Sequence, residues 1–170
     1  MRNDATPNLE SEFTRRSVVH LREEFLPRIE RAARRIGDAD LWWRPNENCT
    51  SAGNLLLHLE GNVRQWILSG LAECPDDRER AVEFATSEGR GVEELLSRLR
   101  ATVEEACMVI ESLRAESLLK RHDIQVFEGV TGLAAVLHVV EHFSWHTGQV
   151  AWIAKLRSGE DLGYYEQALD

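Results

Sequence analysis

Six histidines are spread through the 170-residue chain: His20, His58, His122, His138, His142 and His146. Three of them, His138, His142 and His146, recur at intervals of four. On an α-helix, residues four apart are offset by about 40° around the axis and about 6 Å along it, so neighbouring imidazoles can converge on one ion. The outer two are about 12 Å apart along the axis, too far to share that ion. A third ligand must then come from another helix. His58 is the natural supplier, because it lies in the apolar run LLLHLEGNVRQWIL, where an unpaired imidazole is costly to bury. Neutral imidazole nitrogen suits zinc, nickel and iron. Three protein nitrogens with an open position form the pattern of a catalytic centre, and four closed ligands that of a structural one. Spacing alone leaves two helical pairs open, His138/His142 and His142/His146.

The bland reading of such residues is a hydrogen-bonded core histidine, and one His on an apolar helix face fits it better than a ligand role. The HxxxH pair together with an isolated His in a second apolar helix shifts the balance towards a metal. Peptidase chemistry is not supported. Zinc proteases place Glu directly after the first His, whereas here Phe143 follows His142 and Val139 follows His138. Glu141 lies about 100° around the helix from His142 and points elsewhere. No Ser–His–Asp or Cys–His arrangement stands out, and the catalytic residues stay unassigned. Around the triad, Asn54 lies one turn before His58 and either orients it or bonds a loop. Gln149 follows His146 by three residues and either lines the same mouth or joins two helices. Trp42 and Trp43 read as core residues or pocket walls, and Arg44 as an anion contact or helix cap. Trp66, Trp145 and Trp152 read as core or dimer interface. Glu60 and Arg64 read as a surface i, i+4 salt bridge.

The elements that must position these residues are helical. Residues 9–36 carry Phe13, Val18, Leu21, Phe25, Ile29, Ala32 and Ile36 at helical spacing, with Pro27 able to kink the rod and Gly37 and Asp38 to stop it. LWWRPNENCTSAGN is a connection, and Thr50 or Ser51 caps a buried helix running to about Ser69. Residues 72–90 read as a charged connection with one short helix near Arg78 to Ala85. A third long helix spans about Val92 to Ala115. RHDIQVFEGV is an extended link or a short strand. The last long helix covers about Thr131 to Arg157, ended by Ser158 and Gly159, and the tail EDLGYYEQALD follows. Four long helices around one core give an all-α four-helix bundle, read as a single domain over residues 1–170. The length of the second and third connections leaves the helix order open.

Composition narrows the function classes. Hydrophobic residues make up 43% and charged residues 29%, a globular mixture. A formal net charge of −9, with no Lys/Arg run, disfavours nucleic acid as a partner. No apolar stretch reaches the roughly 18 residues of a membrane span. The opening MRNDATPNLESEF lacks an apolar signal core. Cys49, Cys74 and Cys107 are odd in number and form no CxxC, so a disulfide framework is not expected. Reduced thiols in a cytoplasm fit better. Cys49 and Cys74 have no activating neighbours in sequence.

The runs LWWRPNE, SAGNLLLHLEGNVRQWI and HVVEHFSWHTGQV resemble the DinB-like metalloenzyme superfamily, specifically a branch of small bacterial proteins. The resemblance extends from about Leu41 to Tyr165 and is most specific in HFSWHTGQ and NLLLHL. It implies an antiparallel four-helix bundle, often dimeric. It also implies a divalent metal on one His of the second helix and an HxxxH of the last, here His58, His142 and His146. His138 then falls one turn before the pair, behind the ligands or in the core. Asn54 and Gln149 join it as pocket candidates. Characterised relatives include transferases and isomerases that use low-molecular-weight thiols, with the metal holding the cosubstrate as thiolate. The resulting expectation is a thiol-dependent transferase or a hydrolase with zinc, nickel or iron, in a cytoplasmic homodimer without nucleic-acid or membrane partners. The alternative is a non-catalytic metal-binding stress-response protein.

Overall fold

The structure is a computed structural model, and it describes residues 8–165. Nearly all of its regular structure is helical, with one small antiparallel hairpin. Helix α1 (Leu9–Val18) starts on a reciprocal cap between Asn8 and Ser11. It widens into a π-helical stretch at Val19–Phe25 and continues as α2 (Leu26–Asp40). Pro27 explains the widening. It has no N–H to give to the turn before it, and the Leu26 N–H reaches back five residues to the Leu21 carbonyl. Instead of stopping the rod, Gly37 kinks it with φ 69°, and helix resumes to Asp40. That left-handed conformation carries little strain for a residue without Cβ.

Helix α3 (Ala52–Val63) is capped by Ser51, whose hydroxyl accepts from the Asn54 N–H. All of its residues but Gly61 are buried, as its nearly unbroken apolar circumference requires. It too passes into a π-helical stretch, Arg64–Ser69, where the Gly70 N–H bonds the Gln65 carbonyl. The charged connection contains α4 (Arg80–Ala85). Helix α5 (Val92–Ser112) buries Leu95, Leu96, Leu99, Val103, Ala106 and Ile110 along one stripe, and a short α6 (Ala115–Leu119) follows. The segment read as link or strand is a hairpin, β1 (Arg121–Ile124) and β2 (Phe127–Thr131), with Arg121 opposite Thr131 and Ile124 opposite Phe127. Thr131 then caps α7 (Gly132–Ser158).

Helix α7 packs on α2 and α3, and α5 packs on α3, on α1 and on α2. One cluster of buried residues joins them, from Leu21 and Ile29 through Leu55, Leu59 and Leu99 to Val139 and Phe143. Histidine-bearing faces of α3 and α7 are thereby held side by side. Among the described residues, no helix is long and apolar enough to cross a membrane. Glu60 pairs with Arg98 of α5 at 3.1 Å, a partner that spacing within one helix could not reveal, so the pair expected with Arg64 is not the one formed. The last five residues of the tail lie outside the described residues.

Candidate metal centre

Three of the six histidines meet. His58 of α3 faces His142 and His146 of α7, and one ligand-capable atom from each lies within 4.8 Å of the other two. The Nε2 atoms of His58 and His142 are 2.9 Å apart. Bonds of 2.0–2.1 Å at tetrahedral angles put ligand nitrogens about 3.3 Å from one another. One edge of the group is therefore near that spacing, and the three ligand-capable atoms all lie within 4.8 Å of one another.

Which nitrogens face the shared point follows from the opposite side of each ring. His58 Nδ1 lies 2.8 Å from Glu83 Oε2, and a carboxylate there only accepts. A proton must sit between them, so Nδ1 donates, and in the neutral ring Nε2 then carries the lone pair. Arg78 Nη2 also approaches Nδ1 at 3.1 Å, but its hydrogen has an acceptor in Glu83 Oε2 at 3.0 Å. His146 Nδ1 donates to Gln149 Oε1 at 2.5 Å, leaving its Nε2 unprotonated as well. Metal ligation needs such neutral rings. Burial first, then the neighbouring His146 and His58, pulls His142 down to about 3. His146 is also lowered, mainly by burial, against the raising effect of its Gln149 bond. These donors fit a divalent ion. His58 is buried, whereas His142 and His146 are half-buried and open towards solvent.

The remaining expected residues fall around the cluster. His138 stays outside it. Its ring stacks on Trp66 at 3.8 Å, and its Nε2 accepts from Asn62 at 3.2 Å. Asn54 makes no bond to His58. Its Nδ2 donates to the carbonyls of Glu83 at 2.8 Å and Thr86 at 2.7 Å, while its Oδ1 accepts from Arg44 at 2.8 Å. Asn54 and Arg44 thus fasten the α4 segment over α3. Trp42 packs on the core and donates its indole N–H to the Arg90 carbonyl, and Arg157 stands over the Trp43 ring. Trp66 is buried, but Trp145 and Trp152 are 72% and 60% exposed. Those two, with Cys49, Leu55, Gly148 and Gln149, line a surface groove of about 450 Å³ beside His146.

Sequence reasoning missed Arg78 and Glu83. Glu83 is only 8% exposed and is clamped by Arg78, whose Nε donates to Oε1 at 2.6 Å. Burial alone would raise this carboxyl, yet the bonds from His58 and Arg78 outweigh it and hold it below its ordinary value. A signal did exist: Glu83 is set between Val82 and Phe84 in the short apolar helix AVEFA, unlike the carboxylates around it. The Phe84 ring also lies 4.8 Å from that of His58.

Comparison with known proteins adds the family and the fold. A family model described as "Protein of unknown function (DUF1572)" matches residues 10–165. The crystal structure of the conserved protein of locus from Enterococcus faecalis is similar, with a TM-score of 0.65 over 89% of this chain and 96% of that one. At 18% identity that likeness shows the fold alone. No curated protein matches the chain.

Proposed function

The chain belongs to the DUF1572 family of proteins of unknown function, and from that membership and the histidine cluster we propose a metal-dependent enzyme built on a DinB-like four-helix bundle. His58, His142 and His146 hold one divalent ion, zinc or nickel, with iron also accepted by these donors. The observation that carries this reading is the convergence of three imidazoles from two helices, with no fourth His, Cys, Asp or Glu in the group among the described residues. A structural zinc site is closed by four protein ligands, whereas a set of three leaves room for a reactant. That difference favours the enzyme over a non-catalytic metal-binding stress-response protein.

An ion so held supplies Lewis acidity and lowers the pKa of a coordinated water or thiol. The residues do the rest. Glu83 and Gln149 fix the rings of His58 and His146 through their Nδ1 atoms. The half-buried positions of His142 and His146 keep the site reachable. The groove beside Gln149 offers the apolar walls of Leu55, Trp145 and Trp152 to a small substrate. Thiol transfer to an electrophile, or hydrolysis, suits such a site, and a low-molecular-weight thiol is the cosubstrate of the transfer reading. A homodimer belongs to the same proposal, because the exposed indoles on α7 gain cover when a second copy closes over the groove.

The test is a turnover screen with small thiols and electrophiles, and with ester and amide substrates. Zinc- or nickel-loaded protein is expected to turn over at least one of them. Chelator-treated protein and His142→Ala should fall to background. Equal rates in loaded and stripped protein would refute the enzyme reading.

A further inference from the structure

The buried Arg78–Glu83 pair does more than fasten a loop. We propose that Glu83, clamped by Arg78 and admitted by the bare backbone of Gly61, is a positioning residue that fixes His58 as its Nδ1–H tautomer and so aims Nε2 at the ion. The inference rests on the metal reading above and adds to it residues outside the ligand set.

Three observations converge on it. First, the carboxylate is bonded on both oxygens. Oε2 accepts from His58 Nδ1 at 2.8 Å and from Arg78 Nη2 at 3.0 Å, and Oε1 accepts from Arg78 Nε at 2.6 Å. It is therefore locked in plane and cannot rotate away from the ring. Second, the pair is almost wholly desolvated, with the Arg78 side chain 3% exposed. Buried ion pairs often add nothing to stability compared with apolar residues of the same volume, so stability alone is a poor reason for one here. Third, Gly61 lies one turn beyond His58, on the face that the carboxylate approaches. A Cβ there would collide with Glu83 Oε1 and would stand 2.8 Å from Arg78 Nε. The approach of an acid to a ligand-bearing helix is thus built into the backbone of α3. Arg78 Nη1 extends the chain to Gln65 Oε1 at 2.8 Å, which holds the guanidinium from its outer side.

A carboxylate on the outer nitrogen of a ligating histidine sets its tautomer and raises its basicity, and removing such a partner weakens metal affinity about 10- to 100-fold. Two variants probe this differently. Glu83→Gln keeps the volume but removes the charge. Gly61→Ala keeps the carboxylate but displaces it, and leaves the number of charged groups unchanged. The experiment reads ring ¹⁵N shifts of His58 in the metal-free protein and zinc affinity by competition with a fluorescent chelator, with helical content checked by circular dichroism.

The expected result is Nδ1-protonated His58 in the parent protein, a mixed tautomer in both variants, and zinc affinity weakened about 10- to 100-fold with helicity kept. Nε2-protonated His58 in the parent would overturn the inference. So would variants that keep the parent's tautomer and affinity and differ only in melting temperature, since that is what a merely structural pair would give. Should the parent bind no zinc, the metal reading fails, and the tautomer shifts alone then decide this inference. If one variant does not fold, the other carries the same decision.

Discussion

Single residues decide what this site can be. His142 sits at about 3 because burial and the rings of His146 and His58 all oppose its proton, so it offers a lone pair at any physiological pH. A different residue lets the same logic be checked away from the site. Burial pushes the Cys107 thiol from 9.0 to about 12. A group whose folded value is raised stabilises fully below its unfolded value, and that contribution is lost as pH climbs towards the folded one. Urea midpoints of the parent should therefore fall towards those of Cys107→Ala between about pH 9 and 12. Parallel curves would contradict the burial of that thiol. At this scale the sequence was informative about the histidine cluster, because residue type and spacing of four are local properties. Choosing between His138 and His146 needed the resemblance, and Glu83 was hidden. It lies 25 residues from His58, in a stretch where Asp76, Asp77, Glu79 and Glu88 all look like solvated charge.

At the scale of elements, the long helices were legible because apolar periodicity follows which face is buried. Two kinds of detail were not. The π-helical stretches at Val19–Phe25 and Arg64–Ser69 lie inside longer runs whose apolar spacing reads as continuous helix. The hairpin 121–131 has only ten or so residues, with an irregular register between His122 and Ile124, so strand and link could not be told apart. Helix α7 has a consequence for assembly. Trp145, Trp152 and Leu156 are exposed along one side of it, where residues seven and eleven apart share a face. If that stripe joins two copies, sedimentation should show a species of twice the 19.4 kDa chain. Trp152→Glu should then give the single chain. A parent that stays at the mass of one chain at high concentration would remove the dimer from the proposal.

The described residues share one buried cluster, and the candidate centre lies at its edge, where α3 and α7 run side by side. Its three histidines come from positions 84 and 88 residues apart (58 to 142 and 58 to 146), so only the folded chain brings all three together. An ion that binds the native but not the unfolded state adds to stability by mass action, which ties fold and site together. The order of helices, left open by the long connections, decides which faces meet, and the sequence had no local feature that set it. The most direct measurement is metal content by elemental analysis of protein purified without metal-affinity resin, for the parent and for His58→Ala, His142→Ala and His146→Ala. One divalent ion per chain is expected in the parent, with loss in each of the three variants. A metal-free parent that also fails to take up zinc or nickel would contradict the account, and so would a variant that keeps its ion.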